Sequence, residues 1–266
     1  MSWTFSNTGI GGGFGISPSG NPGGGMNFAA PTIGIVTSGL VINLDAGNAA
    51  SYPGSGTTWT DLSGNNINGT LTNGPTFNSA NGGSIVFDGS DDYCIFDTTS
   101  FPSGNSPFTM EVFVKKNVVT TVPIFAYGRD QVGGNTIPVL LLYSSNLIGL
   151  TFGSTTGDVF STTVLSSGVW YHVCASYTTL QTKIYVNGTL ENSTNYSSAN
   201  IILDNTVNGN KGALAAQFSP FGNISGPPRR YGTFTGNIAK AALYNRALTD
   251  GEILQNFNAL RGRFGI

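Results

Sequence analysis

Few residues in this chain have side chains suited to acid-base or nucleophilic chemistry. There are three glutamates, Glu111, Glu191 and Glu252, and one histidine, His172. A retaining glycosidase needs two carboxylates about 5 Å apart, and a serine or cysteine nucleophile needs a histidine beside it. The glutamates fall in a predicted strand, after a predicted hairpin and at a predicted helix start. We therefore predict that the chain is not an enzyme.

The surroundings of these residues favour structural roles. Glu111 is followed by Val112 to Val114 and then by a lysine, so no second carboxylate follows at strand spacing. His172 alternates with Trp170 and Cys174 on one face of a predicted strand, which is typical of a histidine in a core. Cys94 and Cys174 both lie in apolar, strand-like runs. We expect two buried thiols rather than a disulfide or a zinc site.

Three aspartates in one short stretch are the metal candidates. Asp88, Asp91 and Asp92 can offer oxygen ligands to calcium, which accepts six to eight of them. The same residues are common turn formers between two strands. We favour the turn interpretation, so no cofactor is predicted, and calcium remains the alternative.

A sugar-binding site would need aromatic rings for stacking and planar polar groups for hydroxyls, placed on exposed loops. In the alternative interpretation, the arginines among the candidate residues contact a neighbouring subunit, and the tyrosines fill gaps in the packing. The sequence leaves both interpretations open. The candidate residues are Tyr127, Arg129, Asp130, Tyr143, Arg229, Arg230 and Tyr231.

Residues 1–38 form a glycine-rich segment before the first charged residue, Asp45. Such a segment buries too little apolar surface to offset its ordering entropy. We expect an extended arm held by a partner, or else a flexible leader lying on its own domain. Its first residues lack the basic and apolar regions of a signal peptide. The apolar anchors of the arm would be Trp3, Phe5, Ile10, Phe14, Ile16, Met26 and Phe28.

Charge and the length of apolar runs exclude two classes of partner. Charged residues make up 9% of the chain and the formal net charge is −2. Nucleic-acid binding depends on clustered lysine and arginine, so no nucleic-acid partner is predicted. No apolar run approaches the ~18 residues of a membrane span, so no membrane contact is predicted either.

Residues 39–266 alternate between short β-branched or aromatic runs and clusters of Gly, Asn, Ser and Pro. This pattern predicts an all-β sandwich or barrel. Asn187-Gly188 predicts a tight hairpin turn, because both residues tolerate positive φ. The predicted strands are 40–45, 84–87, 93–96, 108–115, 122–127, 139–143, 147–152, 159–165, 170–177, 182–186, 201–203 and 234–244.

One helix is predicted near the end of the chain. Thr249 and Glu252 form a capping box, and Leu248 is placed to pack on Ile253. The apolar face continues for about three turns, and Gly262 is the predicted stop.

Several short motifs occur in a characteristic order. Together they resemble the laminin-G-like branch of the concanavalin A-like lectin/glucanase superfamily over residues ~39–260, especially the versions in virion proteins of tailed phages that infect marine cyanobacteria. The resemblance implies a jelly roll of two antiparallel sheets. The superfamily's glucanases carry Glu-x-Asp-x-x-Glu on one strand, which is absent here, and residues 236–240 lack the acidic pair that usually follows the Ile. The motifs are Leu44–Asn48, Trp59–Asn65, Phe87–Tyr93, Phe108–Val114, Gly168–Val173, Ile184–Gly188 and Tyr244–Thr249.

The resemblance and the glycine-rich arm together favour a structural phage protein. We expect it to be assembled in the host cytoplasm and displayed on the virion as a capsid decoration or a tail or fibre component. Other virion proteins would hold the arm, host glycans are candidate ligands, and a homo-oligomer is a candidate assembly. The alternatives are a free carbohydrate-binding lectin module and a glycosidase whose turnover would be lost in Glu111→Gln.

Overall fold

The structure is a computed structural model that describes residues 34–117, 120–128, 138–152, 157–195, 201–204, 210–217 and 233–266. All of these belong to the unit Ile33–Ile266. The predicted arm residues lie outside the described residues, as do Arg129, Asp130, Arg229, Arg230 and Tyr231.

The regular structure of the described chain consists mainly of antiparallel strands. In chain order they are β1 (Leu40–Asp45), β2 (Thr58–Trp59), β3 (Gly69–Thr72), β4 (Thr76–Asn78), β5 (Ser84–Asp88), β6 (Tyr93–Asp97), β7 (Phe108–Lys116), β8 (Val122–Tyr127), β9 (Val139–Leu142), β10 (Ile148–Thr151), β11 (Val159–Phe160), β12 (Trp170–Thr178), β13 (Gln181–Val186), β14 (Thr189–Asn195), β15 (Lys211–Leu214) and β16 (Thr235–Tyr244).

The strands form two sheets of eight. The first sheet has the order β14-β13-β12-β7-β16-β5-β4, and β1 also pairs with β16. The second sheet has the order β11-β10-β9-β8-β15-β6-β3-β2. The predicted two-sheet antiparallel sandwich is confirmed.

The main core lies between the sheets, where strand alternation turns every second side chain inward. Trp59, Phe87, Phe108 and Phe125 are at most 1% exposed and belong to the largest apolar cluster. Cys94 also lies there, whereas Cys174 lies in a second cluster. Both thiols are free and buried, as predicted.

The α-helix α1 (Asp250–Phe264) packs on the outer face of the first sheet. Its capping box is confirmed: Thr249 Oγ1 accepts from the Glu252 amide, and the Glu252 carboxylate accepts from the Thr249 amide. The predicted stop at Gly262 is wrong, because the helix continues to Phe264 and ends at Gly265 with φ 69°. Phe264, the last residue of the helix, stacks on Phe113 of β7 with ring centroids 4.8 Å apart. This contact packs the residues beyond Gly262 against the sheet.

Two other local predictions can be compared with the structure. The Asn187-Gly188 turn has φ values of 51° and 74°, as the predicted hairpin requires. The predicted strand at 201–203 is wrong, since Leu203 makes one isolated bridge to Gly104. None of the helices in the described ranges is long and apolar enough to cross a membrane.

Candidate functional site

The strand glutamate predicted to be structural lies beneath helix α1. Alternation along β7 turns Glu111 to the outer face of the first sheet, and α1 covers that face. Its Oε1 atom lies 3.3 Å from Lys240 Nζ of β16, and its Oε2 atom accepts a 2.7 Å hydrogen bond from Asn256 Nδ2 of α1. Glu111 and Asn256 are 0% exposed and Lys240 is 1% exposed. A substrate in solvent has no access to this carboxylate.

The charge of Glu111 is fixed by its neighbours. Burial alone would raise the pKa of the carboxyl, but Lys240, His172 and Asn256 outweigh burial and lower the pKa to about 2. A carboxyl with so low a pKa stays ionised near neutral pH and cannot serve there as a proton donor.

The single histidine belongs to the same buried layer. His172 Nε2 lies 3.6 Å from Glu111 Oε2, and the ring lies between Phe113 and Phe257, with centroids 4.7 and 5.7 Å away. The side chain is 0% exposed. His172 is therefore a core histidine, as the strand pattern predicted.

The three turn aspartates form the one cluster of potential metal-ligating side chains found in the described part of the chain. Asp88, Asp91 and Asp92 each offer a carboxylate oxygen, all within 4.8 Å of one another. Asp92 also accepts from the Asp88 amide at 3.0 Å, and Asp88 accepts from the Ser90 amide at 2.7 Å. These bonds account for Asp88 and Asp92 as turn formers, and calcium binding stays a prediction.

The two predicted sugar-binding residues within the described ranges, Tyr127 and Tyr143, differ in exposure to solvent. Tyr127 is 1% exposed and its ring packs edge-on against Phe101 and Phe108 in the core. The prediction that Tyr127 stacks on a sugar is wrong, because the end of β8 turns this ring between the sheets. Tyr143 is half-buried beside Phe160, so its proposed role stays a prediction.

The second sheet carries a solvent-open groove of about 430 Å³ on its outer face, where β3, β6 and β15 lie side by side. Ile95 and Asp97 of β6 share one face, and Asp97 pairs directly with Lys211 of β15 in the strand register. The groove is lined by Asn65, Asn66, Ile67, Asn68, Thr70, Ile95, Phe96, Asp97, Ser100 and Lys211.

One wall of the groove is a loop held by a buried aspartate. The Asp61 carboxylate accepts from the amides of Asn43, Ser63 and Ile67 at 2.8 to 3.1 Å. Asn65 Nδ2 donates to the Leu40 and Val41 carbonyls. These bonds fix the loop backbone, so the groove is largely preformed.

The sequence offered a weak signal for this groove. Asn65, Asn66 and Asn68 stand close together around one buried Ile67, but such runs are also ordinary turn material. The opposite wall comes from β6 and β15, which lie far along the chain from residues 65–68. No local pattern predicts that these strands pair beside this loop.

The fold resembles those of several solved structures. A Trypanosoma rangeli sialidase mutant with trans-sialidase activity is 17% identical, with a TM-score of 0.57 over 87% of this chain and 34% of the sialidase. Domain 4 of AbnA, an arabinanase from Geobacillus stearothermophilus, in complex with arabinotriose, is 19% identical, with a TM-score of 0.59 over 82% of this chain and 97% of that domain. The binding domain of Paraclostridial Mosquitocidal Protein 1 is 16% identical, with a TM-score of 0.60 over 83% and 52%.

The chain thus spans about a third of the sialidase and about half of the mosquitocidal binding domain. Likeness at this identity extends to the fold, which occurs in proteins of both enzymatic and binding function. No curated protein sequence matches the chain. Residues 88–254 match a laminin G family profile. Since that match covers more than half of the sequence, the chain belongs to the concanavalin A-like lectin/glucanases superfamily.

Proposed function

We propose that this protein is a non-catalytic, lectin-like binding protein displayed on a phage virion. One observation carries the binding part of this proposal. Glu111, the glutamate of a central strand, and His172, the single histidine, are buried under α1, whereas the outer face of the second sheet offers an open polar groove. The buried groups are out of reach of a substrate, and the groove is free to take a ligand.

The nature of the ligand is argued from the groove and from one similar structure. Amide, hydroxyl, carboxylate and ammonium groups line the groove, and such groups recognise sugar hydroxyls. The arabinanase domain with this fold was solved with arabinotriose, and it aligns over nearly its whole length. Both points favour an oligosaccharide.

The virion part rests on the sequence. The ordered motifs resemble those of tailed-phage proteins, and the glycine-rich segment lacks charge until Asp45. In this proposal residues 1–38 attach the chain to other virion proteins, and the sandwich meets host glycans. Capsid decoration, tail and fibre positions are all compatible with such an arm.

The virion role is tested on purified particles of the phage that carries this gene. Mass spectrometry should find the chain in the particles, and antibody labelling in electron microscopy should place it on their surface. Deleting residues 1–37 should reduce its incorporation. If the chain occurs only in the soluble lysate, the virion role is wrong and the free lectin module is supported.

The binding role is tested with the full chain on an array of plant, bacterial and algal glycans. Micromolar binding to some oligosaccharides, without release of smaller sugars from the same panel, is the expected result. Turnover of any polysaccharide by the purified full chain would instead support a glycosidase.

A further inference from the structure

The groove on the second sheet presents hydrogen-bonding groups that the fold does not use. Within the described part of the chain, the side chains of Asn66, Thr70 and Ser100 have no hydrogen-bond partner. All three residues are exposed to solvent. An amide and two hydroxyls can each both donate and accept, which matches the dual character of sugar hydroxyls.

The charges in the groove balance each other. Asp97 Oδ2 and Lys211 Nζ lie 3.7 Å apart, with side chains 51% and 35% exposed. The Asp97 pKa is lowered, first by hydrogen bonds from Thr99 and further by Lys211, so the carboxylate remains ionised near neutral pH. One anion and one cation give the lining a formal charge of zero, and neither sign of ligand charge is favoured.

The groove also has an apolar floor and a suitable size. Ile95 is half-buried between Thr70 and Ala213, its partners on the neighbouring strands. The C–H face of a sugar ring can lie on such a side chain while its hydroxyls reach the walls. The volume of about 430 Å³ falls within the ~300–1,000 Å³ range of small-molecule sites.

We infer that this groove binds an uncharged, hydroxyl-rich sugar unit of an oligosaccharide, through Asn66, Thr70 and Ser100, without a metal ion. The inference rests on the proposed binding role and adds the contacting residues, the neutral charge of the sugar and the independence from metal. The Asp97–Lys211 pair orients the sugar with one acceptor and one set of donors. It also gives a negatively charged sugar no net attraction.

The test measures Kd by calorimetry for the full chain with arabinotriose, mannotriose and cellotriose as neutral probes and trigalacturonate as the anionic probe, with and without EDTA. Asn66→Gly removes the amide without backbone strain, because Asn66 has φ 59°. Thr70→Val removes one hydroxyl from β3. Thr76→Val is the matched control, since Thr76 is an exposed strand residue of the first sheet.

We expect the wild type to bind at least one neutral probe, equally well with EDTA, and each groove variant to weaken binding about fivefold, the effect of one hydrogen bond. Thr76→Val should leave Kd unchanged. Asp97→Asn keeps an acceptor for the Thr99 amide but leaves Lys211 uncompensated, so it should tighten trigalacturonate binding about fivefold or more.

The outcomes separate the site from the function. Binding to a neutral probe that neither groove variant weakens overturns the groove as the site but leaves the binding role intact. Wild-type preference for trigalacturonate, or loss of binding in EDTA, overturns the ligand class or the metal-free mode. No binding to these probes overturns this inference, and no binding across the glycan array overturns the proposed function as well. Thermal unfolding of each variant identifies any loss caused by misfolding.

Discussion

The ion pair with Glu111 explains why a lysine, Lys240, stands at this position of β16. In the related pattern an acidic pair follows the Ile of β16, whereas this chain has Ala239 and Lys240. Lys240 extends under α1 and neutralises Glu111, 3.3 Å away. Removing one partner of a buried pair leaves an uncompensated charge, which costs far more than the net contribution of the pair.

Glu111→Gln should therefore lower the free energy of unfolding by about 3–5 kcal/mol. Urea unfolding monitored by tryptophan fluorescence measures this change. The double variant Glu111→Leu with Lys240→Met removes both charges and should recover a large part of the loss. If Glu111→Gln is as stable as the wild type, the ion pair does not hold the layer beneath α1.

The Asp158 carboxyl should make the free energy of unfolding depend on pH. Its pKa is raised by folding, whereas that of Glu111 is lowered, so the two contributions have opposite signs. Burial raises the pKa of its carboxyl to about 6, although the Phe152 amide donates to it. Because the folded pKa exceeds the unfolded value of 3.8, the protonated form stabilises the fold. This contribution is complete below pH 3.8 and is lost as the pH rises through 6.

Asp158→Asn keeps an acceptor for Phe152 but does not titrate. We expect the variant to be about 1 kcal/mol more stable than the wild type at pH 7, a value reduced because solvent still reaches part of Asp158. The difference should shrink towards pH 4. Urea midpoints at pH 7, 5 and 4 measure it, and a constant difference across this range would contradict the raised pKa.

At the scale of single elements, alternation predicted the long strands well. β1 and β8 have the predicted bounds, and β7 and β12 differ by one residue at one end. β2, β3, β4 and β15 were missed because they are short and their partners in the sheet, rather than their own residues, hold them extended. β14 was missed because its residues are mostly polar and exposed, without an apolar alternation. The end of α1 was missed because Gly262 tolerates helical geometry and tertiary contacts continue the helix.

The hairpin between β13 and β14 carries a second constraint besides its turn. Gly188 has φ +74°, and a Cβ there would lie 2.9 Å from Phe257 Cδ1 and 3.1 Å from Leu254 Cδ1 of α1. Gly168 has nearly the same φ, +76°, with nothing within 4 Å of a Cβ. The two glycines therefore separate backbone strain from packing against the helix.

Gly188→Ala should destabilise the protein by about 2–4 kcal/mol, since strain of ~1–2 kcal/mol adds to the displacement of α1. Gly168→Ala should lose the strain alone. Urea unfolding compares the two variants. Equal losses would mean that α1 moves away from the hairpin without cost.

At the scale of the whole molecule, the sequence predicted the class of fold and a structural role for Glu111, which lies buried beneath α1. It did not predict the groove, because residues 65–68, 95–100 and 211 meet only when β3, β6 and β15 pair. It also misplaced Tyr127, since a strand pattern does not show which face of a double sheet is the interior. Sites assembled from distant strands depend on the pairing of the sheets, which a single sequence does not encode locally.

The two sheets are also joined along one edge by side chains. Glu191 of β14, in the first sheet, accepts from the amides and hydroxyls of Thr162 and Thr163, just after β11 of the second sheet. Thr194 Oγ1 donates to the Asp158 carbonyl nearby. These bonds tie two edge strands together, and unpaired edges are otherwise open to strand addition from other molecules.

Glu191→Ala should therefore loosen this edge of the sandwich more than the rest of the fold. Loss of a charged acceptor on a half-exposed edge should cost about 1–2 kcal/mol in urea unfolding, and hydrogen exchange should quicken in β11 and β14 while β7 and β16 stay protected. Ser193→Ala, at an exposed site on the same strand, is the control and should change neither measurement. Uniform loss of protection in all strands would mean that Glu191 supports the whole fold rather than its edge.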